Sequence, residues 1–331
     1  MIDKKRLQNI NLQNPPRGQI ITANVLLRGD YTFPRKTSIT IENLERIPKD
    51  RGVIYALNHT DSYNYWPFMY KLFRIGGYPF ISPWVKGKYY EHPLLAWFFD
   101  FANNIPLPSR GYVLTKDFQS VMNRRPDKTE YRLLRDLVDE KITQQELLAR
   151  AGEDLRRFVA TPHGDFNPQQ QPYGQFIENY FNELMQLVTQ ISEEALLKKN
   201  LSLLIFPQGT RSVRLLPGFV GIAQIALKTK APIVPVGCNG SDKCYRSALP
   251  FSSGGSIVYR VGKPLTVEDD LAPFAIAEDY QPFTHAAERK FAAQFRGATD
   301  LVMERINELL DLEYQFAPDA TAITDSTRRF V

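Results

Sequence analysis

The chain has 331 residues, 43% of them apolar, which is enough for one large core or for a core with an appended subdomain. Its net charge of +5 is local, because residues 1–110 hold 15 Lys and Arg against 8 Asp and Glu. That excess either serves solubility or favours an anionic partner such as a phospholipid surface, and no dense basic run or zinc-finger pattern supports nucleic acid.

Residues 1–37 are polar and rich in Asn, Gln and Pro, and read as a loop with short extended pieces. Strands are expected at Ser38–Leu44 and Gly52–Leu57, then a helix or turn at Tyr63–Phe73 whose Pro67 fits only a first turn. Another strand is expected at Tyr78–Val85, followed by an amphipathic stretch at Pro93–Asn103. Asp127 with Glu130, and Thr143 with Glu146, have capping-box spacing and open two helices, the second running to about Phe158. Thr161–Gly174, with three prolines, reads as a loop, and Phe176–Leu197 as an amphipathic helix stopped by a left-handed Asn200. Beyond it come a strand at Leu201–Phe206, a helix at Gly221–Lys228 and strands at Ile233–Val236 and Ser256–Val261. A helix at Ala286–Leu312 and a loosely held tail after Tyr314 complete the pattern. Alternating strands and helices imply an α/β fold with a largely parallel sheet flanked by helices.

Two strand ends carry chemistry-bearing residues. Val53–Leu57 delivers Asn58 and His59, and strand ends of open α/β sheets are where ligands collect. A histidine there can act as a general base. Leu203–Phe206 stops at Pro207 and turns through Gly209 to present Thr210, Arg211 and Ser212, a suitable grip for a phosphate. The four histidines are scattered, so no metal site is expected, and Cys238 and Cys244 make no disulfide framework and fit a reducing interior.

Four blocks in order resemble the glycerolipid acyltransferase family: Asn58-His59, Ile105-Pro106 with Arg110, Phe206–Ser212, and Pro232–Val236. The lead-in from Lys86 to Trp97 is similar as well, and the resemblance covers about residues 38–112 and 176–265. It implies a glycerolipid acyltransferase-like domain at 38–265 with a helical insertion at about 112–175, between the 1–37 lead and a C-terminal helix and tail at 266–331. It also implies transfer of a fatty acyl group from an acyl thioester, on coenzyme A or an acyl carrier protein, to glycerol phosphate or a lysophospholipid. By the match His59 is the base, and Gly209, Thr210 and Arg211 form the acceptor's phosphate site with help from Arg110. No cofactor or metal is implied.

The chain departs from the family at three places. Asn64 stands where the family has Asp, Gln208 stands where it has Glu, and the second block is one residue longer before Arg110. Asn64 keeps an acceptor oxygen for the imidazole but supplies no balancing charge, so a catalytically degraded lipid- or acyl-thioester-binding protein is the alternative. Asp61, two residues from His59, is either a helix N-cap or a substitute carboxylate. Gln208 can still bind a hydroxyl or a phosphate neighbour. The run Trp84–Phe101, with Lys86 and Lys88, is either an interfacial patch or a core helix. Met1–Arg17 lacks the apolar core of a signal peptide and no apolar run reaches the ~18 residues that span a bilayer, so the expectation is a cytoplasmic protein peripheral to the inner face of a membrane.

Overall fold

The computed structural model describes residues 2–33, 36–247 and 249–317. The tail expected to be loosely held lies, from 318 on, outside them. The chain forms two compact units, Met1–Ile10 with Val85–Trp97 and Pro106–Val188, and Asn11–Trp84 with Phe98–Ile105 and Thr189–Val331. Among the described residues the lead before residue 37 is shared between the units, and residues 266–317 fall in the second.

The lead is helical rather than a loop. Lys4–Gln8 (α1) is capped by the Asp3 carboxylate, which accepts from the Arg6 N–H at 2.7 Å. Arg17–Thr22 (α2) passes through a π-helical turn at Ala23–Leu27 into Arg28–Tyr31 (α3). Ala23, Leu27 and Tyr31 recur every fourth residue and join the core of the second unit. That spacing is legible in hindsight, beneath the Asn and Gln content that suggested a loop.

Thr37–Glu42 (β1), Ile54–Leu57 (β2), Tyr65–Ile75 (α4) and Ile81–Lys86 (β3) follow, then Pro93–Phe101 (α5) and Ile105–Leu107 (β4). Pro67 sits in the first turn of α4, where no intrahelical N–H is needed. Helices Arg110–Met122 (α6), Lys128–Val138 (α7), Gln144–Arg150 (α8), Glu153–Ala160 (α9) and Tyr173–Glu193 (α10) build the first unit. Both expected capping boxes are present, at Asp127/Glu130 and Thr143/Glu146. The helix expected to reach Phe158 is broken at Ala151-Gly152: Gly152 caps α9, and Glu153 and Asp154 favour its positive N-terminal end. Asn200 takes the left-handed conformation, with φ of 49°.

Ser202–Ile205 (β5), Gly221–Thr229 (α11), Ile233–Asn239 (β6), Ser241–Cys244 (α12) and Gly255–Val261 (β7) complete the sheet. The expected C-terminal helix is two, His285–Lys290 (α13) and Ala292–Asn307 (α14), separated at Phe291. The seven strands run β1-β7-β6-β2-β5-β3-β4. β2 is parallel to β5 and β6, β3 to β5 and β1 to β7, while β6 and β7 are antiparallel. Every residue of β2, β5 and β6 is buried, as strands covered on both faces require. The sheet is thus the largely parallel α/β arrangement expected, with one antiparallel pair.

In the first unit the Arg110 guanidinium makes a two-pronged pair with Glu178, at 2.7 and 3.1 Å, and lies over the Phe181 ring at 4.6 Å. The guanidinium that the resemblance assigns to a phosphate thus has its fork filled by a carboxylate here. The two side chains are only 12% and 9% exposed, so removing either leaves a buried charge. Arg110→Ala or Glu178→Ala should each destabilise by about 3–5 kcal/mol in urea unfolding, and Arg110→Met combined with Glu178→Met should recover most of that.

Candidate active site

The parallel pairing of β2 with β5, in the register Ile54↔Leu203 and Ala56↔Ile205, makes both chain segments leave the sheet at the same end. His59 and the Phe206–Ser212 turn are therefore neighbours although about 150 residues separate them. The His59 carbonyl oxygen accepts the Ser212 N–H at 2.8 Å and is reached by Gln208 Nε2 at 3.5 Å. Arg211 Nη1 donates to Ser62 Oγ at 2.6 Å, tying the turn to the loop after His59. Gly209 has φ of 65°, and a Cβ there would meet the Phe219 ring at 2.8 Å, so no larger residue fits the turn.

On its other side β2 pairs with β6. Asn58 extends that pairing with its side chain: Oδ1 accepts the Cys238 N–H at 2.7 Å and Nδ2 donates to the Cys238 carbonyl at 3.0 Å. A carboxamide thus stands in for one more residue of backbone and holds the residue before His59 against the sheet.

The half-buried His59 ring stacks on Phe206, with centroids 3.9 Å apart and planes 15° apart. Its Nδ1 faces Asn64 Oδ1 at 3.4 Å. Asn64 is fully buried, and its Nδ2 donates to the Asn58 carbonyl at 2.7 Å, which fixes which end of the amide meets the imidazole. The Tyr259 hydroxyl donates to the Asn64 carbonyl at 2.5 Å. Asp61 is bound locally: its carboxylate accepts from the Tyr63 N–H at 2.8 Å and the Thr60 hydroxyl at 3.0 Å. This is an Asx turn one step ahead of α4, not the N-cap of that helix, which is Asn64.

Among the described residues, two cavities of the second unit lie near these segments. One, of about 400 Å³, is polar and lined by Thr60, Asp61, Ser62, Thr210, Arg211, Tyr245, Arg246 and Ser247. It gathers two guanidinium groups and several hydroxyls, a donor set suited to a phosphate. Thr210 and Arg211 line it, Gly209 directly precedes them, and its second guanidinium is that of Arg246. Arg246 and Ser247 follow shortly after the fourth motif, and the adjacency of β6 to β2 is the signal that would have found them. The other cavity, of about 270 Å³, is mostly apolar and lies between α4 and the lead helices, with Tyr65, Trp66, Met69, Phe73, Phe80 and Phe98 in its wall. Phe206 stacks on His59, and its ring lies edge-on to Tyr65 of the apolar cavity's wall, with centroids 6.0 Å apart. The expected patch at 84–101 divides: Trp84 and Tyr90 are buried, whereas Leu94 and Trp97 are 72% and 64% exposed.

Among the described residues no group of His, Cys, Asp and Glu is arranged to hold a metal, and no helix is long and apolar enough to cross a membrane. A family model described as Acyltransferase matches residues 38–239. A 1-acyl-sn-glycerol-3-phosphate acyltransferase from Cocos nucifera is 42% identical over 77 residues, 23% of this chain and 25% of that protein. The match therefore spans a quarter of that relative's length. Among solved structures, a 1-acyl-sn-glycerophosphate acyltransferase from Thermotoga maritima aligns with 92% of this chain and 85% of its own, at 14% identity and a TM-score of 0.37.

Burial raises the Asp61 carboxyl above its ordinary range, against the opposing hydrogen bonds from Ser241, Tyr63 and Thr60. The folded protein holds that proton more tightly than the unfolded chain does. The contribution of Asp61 to stability is therefore full below about pH 4 and is lost as pH rises through the raised value. Asp61→Asn should melt progressively higher relative to the parent protein as pH rises from about 4 through the raised value, and then run level with a constant offset.

Proposed function

The chain belongs to the acyltransferase family, and from that premise we propose that it moves a fatty acyl group from an acyl thioester to a hydroxyl of a glycerophosphate-type or lysophospholipid acceptor. The observation that carries this reading is that His59 directly precedes Thr60 of a polar cavity with Arg211 and Arg246, and stacks on Phe206, whose ring in turn meets Tyr65 in the wall of an apolar one. An amphiphile with a phosphate head and a hydroxyl near it suits such a site, and the donor's acyl chain suits the apolar cavity.

Asn64 presents its oxygen to Nδ1, so Nδ1 carries the proton and Nε2 keeps its lone pair for the acceptor hydroxyl. In serine proteases the corresponding Asp-to-Asn change lowers turnover about 10⁴-fold through the wrong tautomer. Here the Asn58 carbonyl occupies the amide N–H₂ and removes that cause, leaving only the missing balancing charge. Nε2 takes the hydroxyl proton as the oxygen attacks the thioester carbonyl. The tetrahedral intermediate then expels the thiolate, which recovers the proton from the imidazolium. Arg211 and Arg246 hold the acceptor phosphate, while Thr210 and Ser62 supply hydroxyl donors. Coenzyme A and an acyl carrier protein both present the required thioester. Exposed Leu94 and Trp97, with the local basic excess, support docking to an anionic membrane surface.

The neutral Asn64 favours a second reading, a lipid-binding protein without turnover. One assay separates them: acyl-coenzyme A with lysophosphatidic acid, followed as released free thiol. His59→Ala should lower turnover by about 10²–10⁴-fold. Binding of both substrates without turnover, with turnover gained in Asn64→Asp, would instead establish the second reading. Arg246→Ala should raise the KM for the acceptor by about tenfold and leave that for the donor unchanged. Met69→Trp, which fills the apolar cavity, should shift preference toward shorter acyl chains, measured by competition between donors.

A further inference from the structure

We infer that Gln208 is a positioning residue for which the turn requires an amide, so that the carboxylate the family carries at this position would impair this protein rather than restore it. Gln208 has no exposed surface. Its Nε2 donates to the Thr210 carbonyl at 2.9 Å and points to the His59 carbonyl at 3.5 Å. The first bond closes the left-handed turn at Gly209 from within. The second, beside the Ser212 N–H bond to the same oxygen, ties the turn to the backbone of the residue read above as the base.

An amide turned end for end would set its oxygen against two carbonyl oxygens, so the orientation is dictated by the partners. A carboxylate in the same place would do the same with a full charge and no proton to donate. Only the protonated acid can replace the bond to Thr210, and it has a single proton for two acceptors. The charged neighbours do not relieve this. Arg211 is directed to Ser62, Arg246 donates to the Lys243 carbonyl, and Asp61 is a further acid held by Tyr63 and Thr60. The His59 ring is turned to Phe206 and Asn64. Gln208 Oε1 has no hydrogen-bond partner among the described residues, so no Lys or Arg side chain of those residues donates to it.

The same construction recurs at Asn64, whose Nδ2 is also committed to a backbone carbonyl. Both amide-for-acid differences therefore coincide with a carbonyl oxygen that an amide satisfies and a carboxylate repels. This is the arrangement expected of a loop fitted around neutral side chains.

Gln208→Glu tests the idea by two readouts, melting temperature and the acyl-transfer rate relative to the parent protein, each followed from pH 5 to 8.5. The repelled carboxyl would have its folded pKa raised above the ordinary glutamate value of about 4.3, so its penalty is full above the raised value and shrinks as pH falls toward the ordinary one. The variant should melt several degrees below the parent at pH 8.5, turn over about tenfold more slowly, and approach the parent in both as pH falls. Taking each rate as a ratio to the parent cancels titration of the base itself. Gln208→Met, which removes the donor without adding charge, should lose rate and melting temperature by amounts that do not vary with pH. A Gln208→Glu protein equal to or faster than the parent at pH 8.5 overturns the proposal, as does a deficit identical at every pH. So does a Gln208→Met variant indistinguishable from the parent, which decides the matter even where the Glu variant fails to fold. The rate arm rests on the acyltransferase reading. If the parent transfers no acyl group, that reading fails while the pH-dependent melting difference still tests Gln208.

Discussion

The parallel hydrogen bonding of β2 between β5 and β6 is the constraint on which the rest of the site depends. Parallel neighbours end on the same side of a sheet, so three segments remote in sequence must open onto one surface. The pairing is then extended by side chains and turns beyond the last ladder bonds. Asn58 grips Cys238 on one side, and Ser212 and Gln208 converge on the His59 carbonyl on the other. The imidazole is held by its own backbone before any contact to its ring is counted. Its contact with Asn64 is long, and the stack on Phe206 supplies the remaining orientation.

Much of this was legible from the sequence because central strands of a parallel sheet must be apolar on both faces. Val53–Leu57, Leu201–Phe206 and Ile233–Val236 show that pattern, and the Asn58-His59 and Phe206–Ser212 motifs begin where the first two stop. Other elements were hidden for identifiable reasons. The lead helices keep core contacts at Ala23, Leu27 and Tyr31 amid residues that usually mark loops. The breaks at Gly152 and Phe291 interrupt otherwise helical stretches, and a local reading does not show where tertiary packing redirects them. The partner of Arg110 was hidden because a motif position specifies a residue type but not its contacts, and Glu178 lies 68 positions away. Arg246 was missed because it belongs to no motif and reaches the cavity through topology alone.

The two amide-for-acid differences mean different things once their partners are known. A change from Asp to Asn normally leaves open which end of the amide faces the imidazole, and that ambiguity is the main hazard to a base. At Asn64 the Asn58 carbonyl resolves it. At Gln208 the Thr210 carbonyl performs the same function for the turn. Neither amide carries the negative charge that the acid of the family would bring beside the His59 ring or into the turn.

Burial of both sulfurs has a practical bearing. Cys238 and Cys244 are almost wholly enclosed, and desolvation, the largest influence on each, raises both above the usual range for a mercaptan. Nucleophilic attack on an aromatic disulfide reagent needs the deprotonated, accessible form, which neither side chain offers in the native fold. Such a reagent would then draw no signal from this protein's own sulfurs until the chain unfolds.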